Sequence, residues 1–266
     1  MRKLDLPRLV PARTADCPDC YIVHRGADAP VLIAVHGISR NAAEMASRFA
    51  ESPHFSGWTI VAPLFEKSRF GQYQQLLAGP GQTRSDIAML NLLDAIARDF
   101  GITTTSPAWF GFSGGAQFCH RFALLHPTRV SSAYCVSAGW YAMPDAQLAW
   151  PFGIGEGAPL PCDLADALSV RLTVAVGEQD LRIDGSVRQS PLINSHQGET
   201  RLRRAKRWTR AMQKVANGLG QPSGVKLELL SGGVHDFAAC VRHTAMLSLA
   251  AAALATYEET SMAASA

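Results

Sequence analysis

Residues 109–116 read Trp-Phe-Gly-Phe-Ser-Gly-Gly-Ala and contain the pattern Gly-x-Ser-x-Gly at 111–115. This pattern is typical of a sharp turn from a strand into a helix, with a serine exposed at its tip. The preceding residues, 108–112, are mostly apolar, and the following helix is expected to end before Pro127. Glycines are expected where neighbouring segments pass too close for a β-carbon. The sequence therefore predicts a strained turn that presents Ser113 as a nucleophile.

Composition and charge limit the possible classes of protein. The chain has 266 residues, which suits one α/β domain, and its net charge of +3 is too small to indicate a nucleic-acid partner. No apolar run is long enough to span a membrane. Residues 1–7 have a basic start without the apolar core of a secretion signal, so we expect a cytoplasmic protein.

The cysteine pattern does not favour a metal site. Cys17 and Cys20 form a Cys-x-x-Cys, but no second pair or Cys/His cluster accompanies them. We interpret this segment as a turn with Pro18 and Asp19 at its corner, joining two N-terminal strands, with redox chemistry as the alternative. No metal or cofactor is expected.

Strands and helices alternate along the chain. After an antiparallel hairpin over 9–22, strands are predicted at 31–35, 58–63, 108–112, 130–137, 171–177 and 225–230, and helices at 41–55, 84–100, 114–126, 199–219 and 237–257. Asn41 with Glu44 predicts a helix N-cap and its capping partner. Helix 84–100 is predicted to bury Ile87, Leu90, Leu93 and Ile96. The alternation predicts a mainly parallel sheet with helices on both faces.

Candidates for the base and the acid follow Ser113 in the chain. A serine hydroxyl needs a general base, an acid that orients the base, and an oxyanion site. Asp180 and His235 each come just after a predicted strand, at the edge where parallel sheets place their sites. Glu178 and Asp184 are alternatives for the acid.

Two further residues near these candidates receive a structural interpretation. His36 ends the first parallel strand and precedes the serine, so we expect it to shape a turn rather than act as the base. Asp236 is interpreted as an exposed loop carboxylate.

The order Ser113, Asp180, His235, preceded by the His36-Gly37 turn, resembles the α/β-hydrolase superfamily over nearly the whole chain. The resemblance implies an α/β-hydrolase fold with Ser113 as nucleophile, His235 as base and Asp180 as acid. It also implies an oxyanion hole made by the backbone N–H groups of Ile38 and Gly114.

Within that superfamily the elbow is most similar to bacterial carboxylesterases, including the polyester-depolymerase and feruloyl-esterase-like branch. The resemblance implies a serine esterase that acts on a small-molecule or polymeric ester through an acyl-enzyme. Thioesterase, peptidase, lyase or carbon–carbon bond hydrolase activity is open to the same triad. A binding protein on an inactive scaffold is a further alternative.

Two segments allow more than one interpretation. Residues 139–168 of a single domain, 1–266, combine Pro and Gly with large apolar side chains, which favours a short cap with Trp140, Tyr141 and Trp150 on the pocket wall. The alternative is that these aromatics belong to the core. A basic run over 201–210 is interpreted as a solvated helix face, with a polyanion site as the alternative; it comprises Arg201, Arg203, Arg204, Lys206, Arg207 and Arg210.

Overall fold

The computed structural model describes residues 6–255, which form one eight-stranded sheet. Its strands lie in the order β1-β2-β4-β3-β5-β6-β7-β8. β1 and β2 join antiparallel, and β3 to β8 are parallel to one another. The strands are β1 Arg8–Val10, β2 Asp19–Val23, β3 Val31–Val35, β4 Thr59–Leu64, β5 Ala108–Phe112, β6 Ser132–Val136, β7 Arg171–Gly177 and β8 Val225–Leu230.

Helices cover both faces of the sheet and bury an apolar core on each. They are α1 Ala42–Glu51, α2 Ser85–Phe100, α3 Gly114–Leu125, α4 Leu164–Ser169, α5 Pro191–Gln197, α6 Arg201–Gly218, α7 Phe237–His243 and α8 Met246–Leu254. One core packs α2, α3 and α6 against the sheet, and the other packs α1, α7 and α8. The central strands β3 and β5 are buried at every position, which explains their continuous apolar sequence.

The predicted alternation of strands and helices is confirmed, with differences at the helices. The predicted closing helix is two helices, α7 and α8, which meet at 90°; its last two predicted residues, 256–257, lie outside the described residues. α4 and α5 were not predicted. Within residues 6–255 no single helix is long and apolar enough to cross a bilayer, although the bent pair α7–α8 reaches that length and apolarity when taken together.

Helix α2 buries a different face from the predicted one. Ile87 is exposed and Leu90 is only partly buried, whereas Leu93 and Ile96 are buried as expected. The buried face includes the carboxylate of Asp86, a charged residue that the apolar pattern does not mark. Asp86 accepts hydrogen bonds from Arg84 and from His126 Nε2, the latter at 3.0 Å, so its charge is compensated inside the protein.

The N-terminus of α1 lies at the predicted residue, but the predicted capping bond is wrong. Asn41 occupies the N-cap position and its side chain makes no bond to a backbone N–H. Its amide instead donates to the Glu44 carboxylate at 3.0 Å. The pair therefore fixes two side chains of the first turn to each other and does not cap a backbone N–H group.

The turn at Ser113 is built by close backbone packing. A β-carbon at Gly115 would lie 1.9 Å from the carbonyl oxygen of Val35, and one at Gly111 would lie 2.4 Å from the carbonyl of Gly115. Contacts this short with backbone atoms cannot be relieved by rotating a side chain. Glycine is therefore required at both positions for β3, β5 and α3 to meet.

We predict that Gly115→Ala destabilises the protein by about 3 kcal/mol or more, because the methyl group must displace strand β3. Gly218→Ala is the matched control, since a β-carbon there meets nothing within 4 Å. Urea unfolding of both variants measures the difference. Equal stabilities for the two variants would contradict the packing described here.

Candidate active site

Ser113 occupies the tip of the predicted turn in a strained backbone conformation. Its φ and ψ are 55° and −110°, a combination that non-glycine residues rarely adopt. The backbone N–H of Ser113 donates to Val136 O at 2.8 Å, which fixes the turn to the end of β6. Helix α3 begins at the next residue, so its free N–H groups lie beside the serine.

The structure brings Ser113, His235 and Asp180 together in one hydrogen-bonded series. His235 Nε2 lies 3.1 Å from Ser113 Oγ, and His235 Nδ1 lies 3.0 Å from Asp180 Oδ2. Phe112 stacks on the imidazole with ring centroids 5.3 Å apart and restricts its rotation. A carboxylate accepts from Nδ1–H, which leaves Nε2 free to accept a proton from the serine.

Two glycines hold the loops that carry Asp180 and His235 against each other. A β-carbon at Gly177 would lie 2.2 Å from Gly233 O, so the two loops touch through their backbones. Gln179 N donates to the same Gly233 carbonyl at 3.0 Å, and Asp180 N donates to Gly177 O at 3.0 Å. The parallel pairing of β7 with β8 thus places an acid and a histidine that are 55 residues apart within one hydrogen bond.

Asp180 is a buried carboxylate that contacts His235 and Arg201. Burial acts to raise its pKa, but the hydrogen bond from His235 and the charges of His235 and Arg201 outweigh burial and hold the pKa below its ordinary value. Arg201 Nη1 donates to Asp180 Oδ1 at 3.0 Å, and its side chain is also buried. Asp180 is therefore ionised at neutral pH and held in one orientation.

The structure places the alternative acids away from His235. Asp184 is exposed, and its carboxylate accepts from the backbone N–H and the hydroxyl of Ser186. Glu178 is exposed as well. Asp236 caps α7 by accepting from Ala239 N at 2.6 Å, which gives it a structural partner. Among the four carboxylates, Asp180 is the one bonded to the imidazole.

The turn after β3 is fixed by His36 and by Tyr73, a residue that the sequence analysis missed. Tyr73 Oη donates to His36 O at 2.7 Å, and a β-carbon at Gly114 would lie 2.6 Å from the same hydroxyl. That β-carbon would also lie 3.3 Å from Ile38 N. The backbone nitrogen of Ile38 therefore lies next to Gly114, as an oxyanion hole made by these two residues requires. Tyr73 begins a single 3-10 turn, Tyr73–Gln75, between β4 and α2, which is too short for its periodicity to identify a buried residue.

His36 is buried and held by two backbone groups. Phe65 N–H donates to His36 Nε2 at 3.0 Å, so the ring proton is on Nδ1, which donates to Gly37 O at 2.8 Å. Burial lowers the pKa of His36 from 6.5 to about 4. The imidazole is therefore neutral at physiological pH and shapes the turn, as the sequence analysis expected.

A cavity of about 380 Å³ opens over Ser113 and His235. Its apolar wall includes Ile38, Met45 and Phe237, and its polar wall includes Glu44 and Ser186. This volume lies in the range of small-molecule sites. The cavity therefore gives a small substrate group access to the serine hydroxyl.

The three aromatics predicted for the pocket wall lie in the core, so that prediction requires correction. Trp140, Tyr141 and Trp150 are at most 7% exposed, and none of the described residues of 139–168 lines the cavity over Ser113. Tyr141 stacks on Trp208, and Trp150 Nε1 donates to Gln75 O at 2.9 Å. The segment follows an irregular path, but its aromatic side chains pack against α3 and α6, and its carbonyl groups accept hydrogen bonds from these helices. Large apolar side chains can therefore occur beside so many prolines and glycines.

The basic run on α6 also differs from its predicted solvated face. Arg203, Lys206, Arg207 and Arg210 are exposed, but Arg201 and Arg204 are buried. Arg204 donates to the carbonyls of Gly139, Arg188 and Gly198, which places its charge among backbone acceptors. The sequence carried a signal for this burial, because 201, 204, 205, 208 and 212 form one helical stripe with an alanine, a tryptophan and a methionine.

The remaining candidate groups lie apart from this chemistry. Cys17 and Cys20 are free and buried, and burial raises the pKa of their thiols to about 11 and about 12, so both are protonated at neutral pH. Within the described part of the chain, no group of three or more His, Cys, Asp or Glu side chains is placed to hold a metal ion.

Comparison with known proteins identifies the fold. A scan against protein-family models finds no match, and no curated protein matches the sequence. A solved structure of a poly(3-hydroxybutyrate) depolymerase from Bordetella parapertussis is similar, with a TM-score of 0.79 at 24% identity over 96% of this chain and 94% of that one. The chain has the α/β-hydrolase fold. The predicted fold class is confirmed.

Two further structures agree with this assignment. Poly(aspartic acid) hydrolase-1 from Sphingomonas sp. KT-1 gives a TM-score of 0.76 at 23% identity, covering 93% of this chain and 97% of that one. A ferulic acid esterase gives 0.59 at 14% identity, covering 94% and 96%. At these identities the likeness establishes the α/β-hydrolase fold, and the chemistry is argued from the site itself.

The buried histidines predict a loss of stability in mild acid. The folded-state pKa of His36 is about 4 against an ordinary value of 6.5. Its stabilising contribution is complete above pH 6.5 and is lost as the pH falls towards 4, because the unfolded chain binds the proton first. From pH 7.5 to pH 5 the free energy of unfolding should fall by about 2 kcal/mol from His36 alone.

Urea unfolding at the two pH values measures this loss. His120 adds to it, since burial also lowers its pKa. The ordinary pKa of Asp86 and Asp180 is 3.8, so these carboxylates contribute at lower pH. Equal unfolding free energies at pH 7.5 and pH 5 would contradict the neutral, buried state of these imidazoles.

Proposed function

We propose that this chain is a serine hydrolase that cleaves carboxylic esters through an acyl-enzyme intermediate. The observation that carries the proposal is the series from Asp180 through His235 to Ser113, at 3.0 Å and 3.1 Å, on a strained turn at the start of a helix. A nucleophile within reach of a base that a third group orients is the arrangement that covalent catalysis by serine requires. The esterase and depolymerase names of the similar structures support it.

In the first half of the reaction, Ser113 Oγ attacks the acyl carbon while His235 Nε2 accepts the hydroxyl proton. Asp180 keeps the other imidazole proton on Nδ1 and stabilises the imidazolium that forms. His235 then returns its proton to the oxygen of the departing alcohol. The ester acyl group is left on Ser113.

In the second half, water attacks the acyl-enzyme with the same histidine as base, and the acid is released. Both tetrahedral intermediates carry an oxyanion, which the N–H groups of Ile38 and Gly114 would bind. Their proximity is fixed by Gly114, since a side chain there would collide with Tyr73 and contact Ile38. Backbone donors do this regardless of their side chains.

The cavity suits a small acyl or alcohol group with its apolar part against Ile38, Met45 and Phe237. Its volume of about 380 Å³ holds one end of a longer molecule, so a polymeric ester is accessible to the site as well as a small one. A panel of nitrophenyl esters of graded acyl length tests the substrate class. Hydrolysis of at least one member is expected.

Removing the nucleophile tests the proposal directly. Ser113→Ala is expected to lower kcat for a nitrophenyl ester by about a millionfold, because the triad acts as a unit. The fold should persist, since one oxygen is lost from the tip of a turn, and a circular dichroism spectrum checks this. Appreciable turnover by the folded, purified variant would refute the proposal.

Substitutions at two aspartates test which of them is the acid that orients His235. Asp180→Asn is expected to lower kcat about ten-thousandfold by favouring the wrong imidazole tautomer. Asp184→Asn is expected to be nearly silent, since Asp184 is exposed and does not contact His235. The reverse order of the two effects would assign the acid role to Asp184.

A further inference from the structure

Arg201, the first residue of α6, is the buried cation that contacts the proposed triad. Its side chain is 1% exposed, and Nη1 donates to Asp180 Oδ1 at 3.0 Å. Nη2 donates to Ser186 Oγ at 2.6 Å, and that serine lines the cavity over Ser113. The guanidinium thus connects the proposed acid to the cavity wall.

The position of this charge is unfavourable for the stability of the helix alone. A cation at a helix N-terminus opposes the helix dipole, and no acidic residue lies in the first turn of α6 to offset it. Burying a guanidinium carries a further desolvation cost, which an ion pair at best balances. An apolar side chain would avoid both costs, so the contact with Asp180 is the feature that requires arginine here.

The two oxygens of Asp180 have separate partners. Oδ2 accepts from His235 Nδ1 at 3.0 Å, while Oδ1 accepts from Arg201 at 3.0 Å. With each oxygen occupied, the carboxylate cannot rotate about its Cβ–Cγ bond without breaking a charge-assisted hydrogen bond. The imidazole is in turn oriented by a carboxylate whose plane is fixed.

The same contact affects the charge of the Asp180–His235 pair. With a proton on both imidazole nitrogens the pair is neutral, and with one of them free the pair carries one negative charge. A permanent cation beside Asp180 favours the negative form, which is the form with a free base.

Other groups that face the pair keep their charge near neutral pH. Tyr141 and Cys240 face Asp180, and burial raises the pKa of both side chains, so they stay neutral. Arg204 and Asp184 face Arg201, and they stay charged. Asp236, beside His235, accepts a hydrogen bond from Ala239 N at the start of α7. The four side chains with shifted pKa values therefore add no change of charge beside the pair near neutral pH.

We propose that Arg201 is a positioning residue that holds Asp180 in the orientation His235 requires and favours the form of the pair in which His235 is a free base. This inference rests on the proposed serine-hydrolase function. Ser186 accepts a hydrogen bond from Arg201 and donates one to Asp184 Oδ1. The guanidinium that contacts Asp180 is therefore also bonded to a residue of the cavity wall.

The test is the pH dependence of kcat/KM for a nitrophenyl ester in Arg201→Gln, Arg201→Lys and the control Arg203→Gln. Arg203 is exposed on the same helix turn, so its variant should match the parent protein. Arg201→Gln removes the charge, and the midpoint of the acid limb should rise by about one pH unit or more. Its kcat should fall about a hundredfold with KM little changed, because the base is misplaced.

Arg201→Lys keeps the charge but loses the forked donor. Its acid midpoint should match the parent protein while its kcat remains reduced. A purely structural role predicts instead a kcat that falls only with the folded fraction and an unchanged acid midpoint in Arg201→Gln, and that result would overturn the proposal. Should Arg201→Gln fail to fold, an Arg201→Lys variant with the parental kcat would overturn it equally.

Ser113→Ala measured alongside keeps the two hypotheses separate. If Ser113 is essential and the Arg201 variants behave like the Arg203 control, the proposed function stands and the positioning role fails. If Ser113→Ala retains the activity, the serine-hydrolase proposal itself fails, whatever the arginine variants do.

Discussion

The contact between the end of β3 and the start of α3 is the constraint on which the site depends. Gly115 lies so close to Val35 that no β-carbon fits between them, and Gly111 meets the Gly115 carbonyl in the same way. This approach brings the turn after β3 beside the first N–H groups of α3. It also forces Ser113 into a positive-φ conformation that only surrounding contacts maintain.

The residues that contact Ser113 come from the same edge of the sheet as the strained turn. β5, β7 and β8 are parallel members of one sheet, so their carboxyl ends present Ser113, Asp180 and His235 together. The glycine pair at 177 and 233 sets the final distance, because the two loops touch through backbone atoms. Small residues at the contacts thus fix the distances between large functional groups.

The sequence predicted the strands well because a strand buried on both faces has a simple pattern. β3, β5, β7 and β8 have the predicted bounds. Ser113, Asp180 and His235 could be identified as candidates because each follows the carboxyl end of one of these strands. Helix faces were harder to predict. Asp86, Arg201 and Arg204 are charged residues that pack inside, and each has a hydrogen-bond partner 21 to 65 residues away in the chain.

The aromatic segment after β6 shows the same difficulty. Trp140, Tyr141 and Trp150 lie among prolines and glycines, and that composition suits either a pocket wall or a core segment without regular structure. The deciding contacts are Trp208, whose Nε1 donates to Ala142 O, and Gln75, whose carbonyl accepts from Trp150. Both lie in distant parts of the chain, so the local sequence contained no trace of them.

The most direct measurement is covalent labelling of the intact protein with a fluorophosphonate, followed by mass spectrometry of its peptides. The account predicts one adduct, on Ser113, because an activated serine beside two oxyanion donors attacks phosphorus as it would an acyl carbon. Labelling should decline sharply when His235 is replaced by alanine, since the hydroxyl then has no base. An unlabelled protein, or an adduct on a serine other than Ser113, would contradict the central claim that this turn carries the nucleophile.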